Sequence, residues 1–292
     1  EQKETLTPTY RQGVPKPTFS EIRYGKHERN VLDFWKAPSD KPTPLVLAIH
    51  GGGWRARSKE KSVKGEGINK LLKAGISVAA INYRYLGQAK SVFPPVKAPI
   101  YDAARALQFI RSKAAEWNID KTRIGATGGS AGGCSSLWLA FHDDLADPTN
   151  EDPVLRESTR LFCAAVIGAQ TTLDPKLMQE WTPNSNYGQR AFKLWSYRAF
   201  LKKRETLLPL ITEYSPMSHV TPDDPGVYLF YSNTPGIGEK QKDPTHSANF
   251  GVKLQEHCEK IGVKCELMYE GAVNVKYKTT TDYLLATLKG QK

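Results

Sequence analysis

Between residues 31 and 270 the chain alternates short apolar runs with longer amphipathic stretches. VLDFWKA and PLVLAIH read as strands, and the second is apolar enough for a strand buried on both faces of a sheet. INKLLKAGI has helical spacing and stops at Gly75, and SVAAINYRY is a further buried strand. YDAARALQFIRSKAAEW places Ala103, Leu107, Ile110 and Ala114 at helical intervals. TRIGATGG predicts a strand entering a tight turn, and AGGCSSLWLAFHDDL the helix that leaves it. LFCAAVIGAQ, GVYLFYSN and KCELMYE are the remaining strands. Strands that alternate with helices imply a mainly parallel sheet covered by helices on both faces.

Two stretches depart from this rhythm. Residues 1–20 carry three prolines and little periodicity, so they read as an irregular N-terminal arm ahead of one domain over 21–292. Residues 172–221 are rich in Trp, Tyr and Leu without strand alternation. They read as a helical, cap-like insertion over the strand ends, where such sheets bind ligands. Within it Trp181, Tyr187, Trp195, Tyr197 and Phe200 either line a pocket or pack into the core.

Composition narrows the classes. The chain has 292 residues, 41 Lys and Arg against 30 Asp and Glu, and a formal charge of +11. The basic residues are scattered, and no finger or helix-turn-helix signature accompanies them, so nucleic-acid binding is not expected. The charge suits an anionic substrate better, a uronate-bearing glycan for example. No apolar run is long enough to span a bilayer. The start EQKETLTPTY lacks both an initiator Met and a signal-peptide core, which suits a secreted or periplasmic protein without excluding a cytoplasmic one. The four cysteines form no CxxC pair, so they do not read as a zinc site. Cys134 and Cys163 read as buried thiols, and Cys258 with Cys265 as a disulfide candidate should the protein be exported. No cofactor is indicated.

Two motifs carry chemistry. Gly128-Gly129-Ser130-Ala131-Gly132 fits G-x-S-x-G and lies between a predicted strand and a predicted helix. That is the context of a nucleophile elbow, in which the helix N-terminus favours negative charge developing at the serine. His50-Gly51-Gly52-Gly53-Trp54 follows a buried strand and matches a loop that offers backbone N–H groups to an oxyanion.

On these motifs and on the blocks VLDFWKAP, LVLAIHGGGW, INYRY and ELMYEG, residues 20–290 resemble the α/β-hydrolase superfamily, in the HGGGW-bearing carboxylesterase and lipase branch related to hormone-sensitive lipase. The resemblance implies an α/β-hydrolase fold and a serine carboxylic-ester hydrolase with Ser130 as nucleophile. It also implies Gly52, Gly53 and Ala131 as oxyanion donors, with His50 orienting its loop. Short acyl esters, including acetylated carbohydrate, are the implied substrates.

The family's acid follows the strand VYLFYSN, where Asp243 of Asp243-Pro244 is the match and Glu239 the runner-up. A plain turn or helix cap is the alternative for Asp243. The family's histidine should follow KCELMYE, but GAVNVKYK stands there instead. Neither Tyr277 nor the lysines are useful bases near neutrality. A base need only come within hydrogen-bond reach of the serine, and Asp243-Pro244-Thr245-His246 has the D-x-x-H spacing of SGNH-type acid–base pairs. His246 is therefore the candidate base, ahead of His219, His50, His142, His257 and His27. A hydrolase fold that binds a ligand or glycan without turnover is the alternative function.

Overall fold

The computed structural model describes residues 9–290. Among the described residues eight strands form one sheet: β1 (Phe19–Arg23), β2 (Val31–Trp35), β3 (Thr43–Ile49), β4 (Ser77–Ile81), β5 (Ile119–Gly129), β6 (Cys163–Ile167), β7 (Val227–Phe230) and β8 (Cys265–Met268). Their order is β1-β2-β4-β3-β5-β6-β7-β8. The pairs β1/β2 and β2/β4 are antiparallel, and every pair from β4/β3 to β7/β8 is parallel.

The helices that cover this sheet among the described residues are α1 (Gly65–Lys73), α2 (Lys97–Ser112), α3 (Ala114–Trp117), α4 (Ala131–Phe141), α5 (Pro175–Trp181), α6 (Tyr197–Tyr214), α7 (Asn249–Ile261) and α8 (Thr280–Lys289). The period-2 pleat of β3 shows how both faces are filled. Leu45, Leu47 and Ile49 join the core beneath α2, α4 and α7, while Val46 and Ala48 join the core beneath α1 and α8. Burying one such side chain contributes about 1.5–3 kcal/mol, so a run of five fixes the register of the central strand.

Three expectations need correction. The N-terminal arm ends earlier than residue 20, because Phe19 opens β1. That strand is largely exposed, so no apolar pattern announces it. Residues 1–8 of the arm lie outside the described residues, but Tyr10 donates to Asp33 and sits edge-on to Trp35, which ties the following segment to the sheet. The long helix over YDAARALQFIRSKAAEW is two helices, α2 and α3, divided at Lys113. All four cysteines are free thiols, so Cys258 and Cys265 form no disulfide.

The segment between β6 and β7 holds α5 and α6. Asp174 caps α5 through the Lys176 amide and grips Arg204 of α6 with both carboxylate oxygens, at 2.7 and 2.6 Å. Trp181 and Phe200 are core residues, and Tyr197 donates to the Pro175 carbonyl. Trp195 is exposed, with the Arg190 guanidinium stacked on its ring at 3.9 Å. Of these five aromatic residues Tyr187 lines a cavity, next to Gly53 of the loop after β3.

Candidate functional site

The site lies at the carboxyl end of β5, where the strand passes through one residue into α4. Ser130 occupies φ 54°, ψ −125°, a conformation that a residue with a β-carbon adopts only under strain. Packing holds it there. Its amide donates to the Ile167 carbonyl of β6 at 2.8 Å, and its carbonyl accepts from Cys134 in the first turn of α4. The close approach of α4 to β3 explains the motif's last glycine. A β-carbon at Gly132 would strike the Ile49 carbonyl and come within 2.7 Å of the His50 carbonyl oxygen.

The loop after β3 lies against this turn. Gly52 has φ 100° and its carbonyl accepts from Arg55 and Ala56, which folds the loop back on itself. The amides of Gly52, Gly53 and Ala131 donate to no protein acceptor among the described residues. His50 is 1% exposed, stacks on Tyr83 with centroids 4.1 Å apart, and bonds through Nδ1 to the Gly51 carbonyl at 2.7 Å. Burial pushes its pKa down to about 3, so it is neutral at physiological pH. The Tyr83 hydroxyl donates to the carbonyl of His50 at 2.7 Å. His50 thus braces the loop from behind.

Across the turn, His246 Nε2 is 2.9 Å from Ser130 Oγ, and His246 Nδ1 is 2.8 Å from Asp243 Oδ2. Asp243 and His246 sit at the two ends of a short 3-10 turn, Pro244–His246, preceded by Asp243 as its cap. Proline at the first position supplies the φ that such a turn needs. Asp243 also performs the capping expected as its alternative role, since Oδ1 accepts from the His246 amide at 3.3 Å. The imidazole rests against Gly168, whose missing side chain leaves the space it fills.

Three amides anchor this segment, and no motif in the sequence flags them. Asn233, just after β7, donates to the His246 carbonyl at 2.9 Å and accepts from the Ala248 amide at 2.8 Å. Gln170 donates to the Thr245 carbonyl at 2.6 Å. Asn249, 1% exposed, bonds to the Trp181 carbonyl, the Thr182 hydroxyl and both backbone groups of Gly236.

The other candidates lie elsewhere. Glu239 is exposed in the loop after β7. His27 accepts from the Arg29 amide, and His257 is in the middle of α7. His142 follows the far end of α4, its ring tilted against Trp138 and near His219, with the two imidazole centroids 4.7 Å apart. The segment GAVNVKYK forms the turn between β8 and α8. Val273 is 81% exposed, and Tyr277 packs edge-on to Tyr283, on the opposite side of the sheet from α4.

A cavity of about 190 Å³ opens beside Gly53, walled by Trp54, Arg55, Tyr187, Gln189 and Arg190. Two residues of its wall each carry a buried polar atom, Tyr187 Oη and Gln189 Oε1, without a hydrogen-bond partner among the described residues.

The chain is 33% identical over 148 residues to the probable carboxylic ester hydrolase LipM of Mycobacterium tuberculosis, a match covering 49% of this chain and 32% of that protein. It is 30% identical over 113 residues to an arylesterase of Saccharolobus solfataricus, covering 38% and 35%. The matches thus span about a third of the length of these curated relatives. Among solved structures, Thermogutta terrifontis esterase 2 phosphonylated by sarin aligns with a TM-score of 0.67 at 22% identity, covering 93% of each chain. An acetyl ester-xyloside bifunctional hydrolase from Caldicellulosiruptor lactoaceticus aligns with a TM-score of 0.63 at 23% identity, covering 88% and 86%. At that identity these likenesses establish the α/β-hydrolase fold. The BD-FAE family model matches residues 32–241, and this chain belongs to that family.

Proposed function

We propose that this protein is a serine carboxylic-ester hydrolase in which Ser130, His246 and Asp243 act together. The contact of His246 Nε2 with Ser130 Oγ at 2.9 Å carries the reading. His246, with Nδ1 bonded to Asp243, takes the Ser130 proton as Oγ attacks the ester carbonyl. The free amides of Gly52, Gly53 and Ala131 act as the oxyanion hole, and the start of α4 adds a favourable dipole. The imidazolium then gives its proton to the leaving alkoxide, an acyl–Ser130 ester forms, and water releases the acid by the same route reversed.

The cavity beside Gly53 supports a small polar substrate. At about 190 Å³ it falls below the usual ~300–1,000 Å³ of ligand pockets, which disfavours long acyl chains. Arg55 and Arg190 in its wall favour electron-rich partners. These features fit short acyl esters of carbohydrates. The Caldicellulosiruptor neighbour, an acetyl ester-xyloside bifunctional hydrolase, points the same way.

The test is hydrolysis of nitrophenyl acetate and of an acetylated xylo-oligosaccharide, with fluorophosphonate labelling, by wild type and Ser130→Ala. Turnover and labelling that both disappear in Ser130→Ala are expected. Wild-type protein that neither turns over nor labels at Ser130 would restore the alternative of a ligand-binding fold without chemistry.

A further inference from the structure

His142, Glu213 and His219 play no part in the mechanism above, yet they converge. His142 caps the C-terminal end of α4, Glu213 lies in the last turn of α6, and His219 closes the 3-10 turn Pro216–His219 that follows. One ligand atom from each lies within 4.8 Å of the other two, and all three residues are half-buried. We propose that they form a binding site for a divalent transition-metal ion, best matched by Zn2+, that clamps α6 to the end of α4.

The hydrogen bonds argue for a cation. His142 Nδ1 faces the Asp143 carbonyl at 2.9 Å, so Nδ1 carries the hydrogen. In the neutral ring Nε2 then presents a lone pair, and it faces Glu213 Oε1 at 3.2 Å. Two acceptors at that separation need either a proton or a metal ion between them. Two imidazole-nitrogen or carboxylate ligands at about 2.0–2.1 Å from a tetrahedral Zn2+ stand about 3.3 Å apart, close to this spacing.

The third member is prepared in the same way. His219 Nε2 faces the Glu213 main-chain carbonyl at 2.6 Å, and that carbonyl also accepts from Trp138 Nε1 at 2.8 Å. Each imidazole therefore has one nitrogen fixed on a main-chain carbonyl, which frees the other as a donor atom. Metal-binding histidines are held in this manner. Two imidazoles and one carboxylate form a donor set suited to Zn2+, and three protein ligands leave one position for solvent. The acidic cluster Glu21, Asp33 and Glu60 makes a useful contrast, because Lys59 Nζ already fills its centre, at 3.3 Å from Asp33 and 2.8 Å from Glu60.

The experiment is calorimetric titration of chelator-treated protein with Zn2+, beside Co2+ absorption spectra, for wild type, His142→Gln, His219→Gln and His246→Ala. One equivalent should bind to wild type, give tetrahedral Co2+ bands and raise the melting temperature. Both His142→Gln and His219→Gln should weaken binding by more than ~10-fold, since losing a ligand must cost at least as much as losing an outer-shell partner. Neither should change ester hydrolysis, and unchanged hydrolysis also shows that each variant is folded. Absence of stoichiometric binding, binding that survives in both histidine variants, or loss of binding in His246→Ala alone would each overturn the proposal. Should His142→Gln fail to fold, Glu213→Gln replaces it with the same expected loss.

Discussion

His246 Nε2 and Ser130 Oγ lie 2.9 Å apart although 116 residues separate them in the chain. The contact arises because the 3-10 turn after Asp243 and the turn into α4 follow β7 and β5, the two parallel neighbours of β6, and meet across its carboxyl end. If that contact carries the proton, Ser130→Ala and His246→Ala should each lower kcat by a similar factor of about 10⁴ or more, and the double variant little further. Parallel kinetics on the three proteins decide this. A His246→Ala enzyme with full activity would place the base elsewhere.

Asp243 should matter less than His246. Its side chain is 55% exposed, so its pairing with His246 is screened in a way that a buried aspartate's is not. Where such an aspartate is buried, the asparagine variant loses about 10⁴ in kcat through the wrong imidazole tautomer. Here His246 can still reorient through solvent, and Asp243→Asn should cost only about 10–10²-fold. A loss as large as that of His246→Ala would contradict this.

The amides that hold the turn account for what sequence reasoning missed. Ser130 and the loop glycines stand in short motifs whose spacing follows from backbone geometry, and Asp243 and His246 share one turn, so all could be read from neighbours in the chain. Asn233, Gln170 and Asn249 act through main-chain carbonyls and amides that only the folded loop brings near. An amide side chain carries no signature of such a role. The same limit hid β1, which is exposed, and the meeting of His142, Glu213 and His219 across two helix ends. Asn233→Ala should lower kcat by about 10²-fold with KM nearly unchanged, because it loosens His246 without touching substrate. A change confined to KM would refute the positioning role.

The glycines of the turn are not equivalent. A β-carbon at Gly132 would collide with the carbonyls of Ile49 and His50 at the end of β3, whereas one at Gly129 would find its nearest neighbour, the Ile167 carbonyl, at an ordinary 3.7 Å. Gly132→Ala should therefore destabilise the protein by about 3 kcal/mol or more, or prevent soluble expression. Gly129→Ala should fold and retain most of its stability. Denaturant midpoints for the two variants provide the comparison, and equal losses would show that α4 can move away from β3 to make room.

His50 should make the fold acid-sensitive. Its pKa is about 3 in the folded protein against an unperturbed 6.5, because burial against Tyr83 excludes the charged ring. Between those values the unfolded chain binds a proton that the folded chain refuses. Stability therefore falls as pH drops from about 6.5 towards 3, with this residue adding a slope of up to about 1.4 kcal/mol per pH unit. Above about 6.5 both states are neutral at this position and the contribution is flat. Replacing His50 with Asn removes the titrating group, so the variant's stability should decline less steeply across pH 6 to 4 than the wild type's, although it will be less stable at pH 7 for want of the ring's packing. Urea midpoints at several pH values distinguish the two slopes. Parallel declines would mean that acid acts through the carboxylates and not through the buried ring behind the glycine loop.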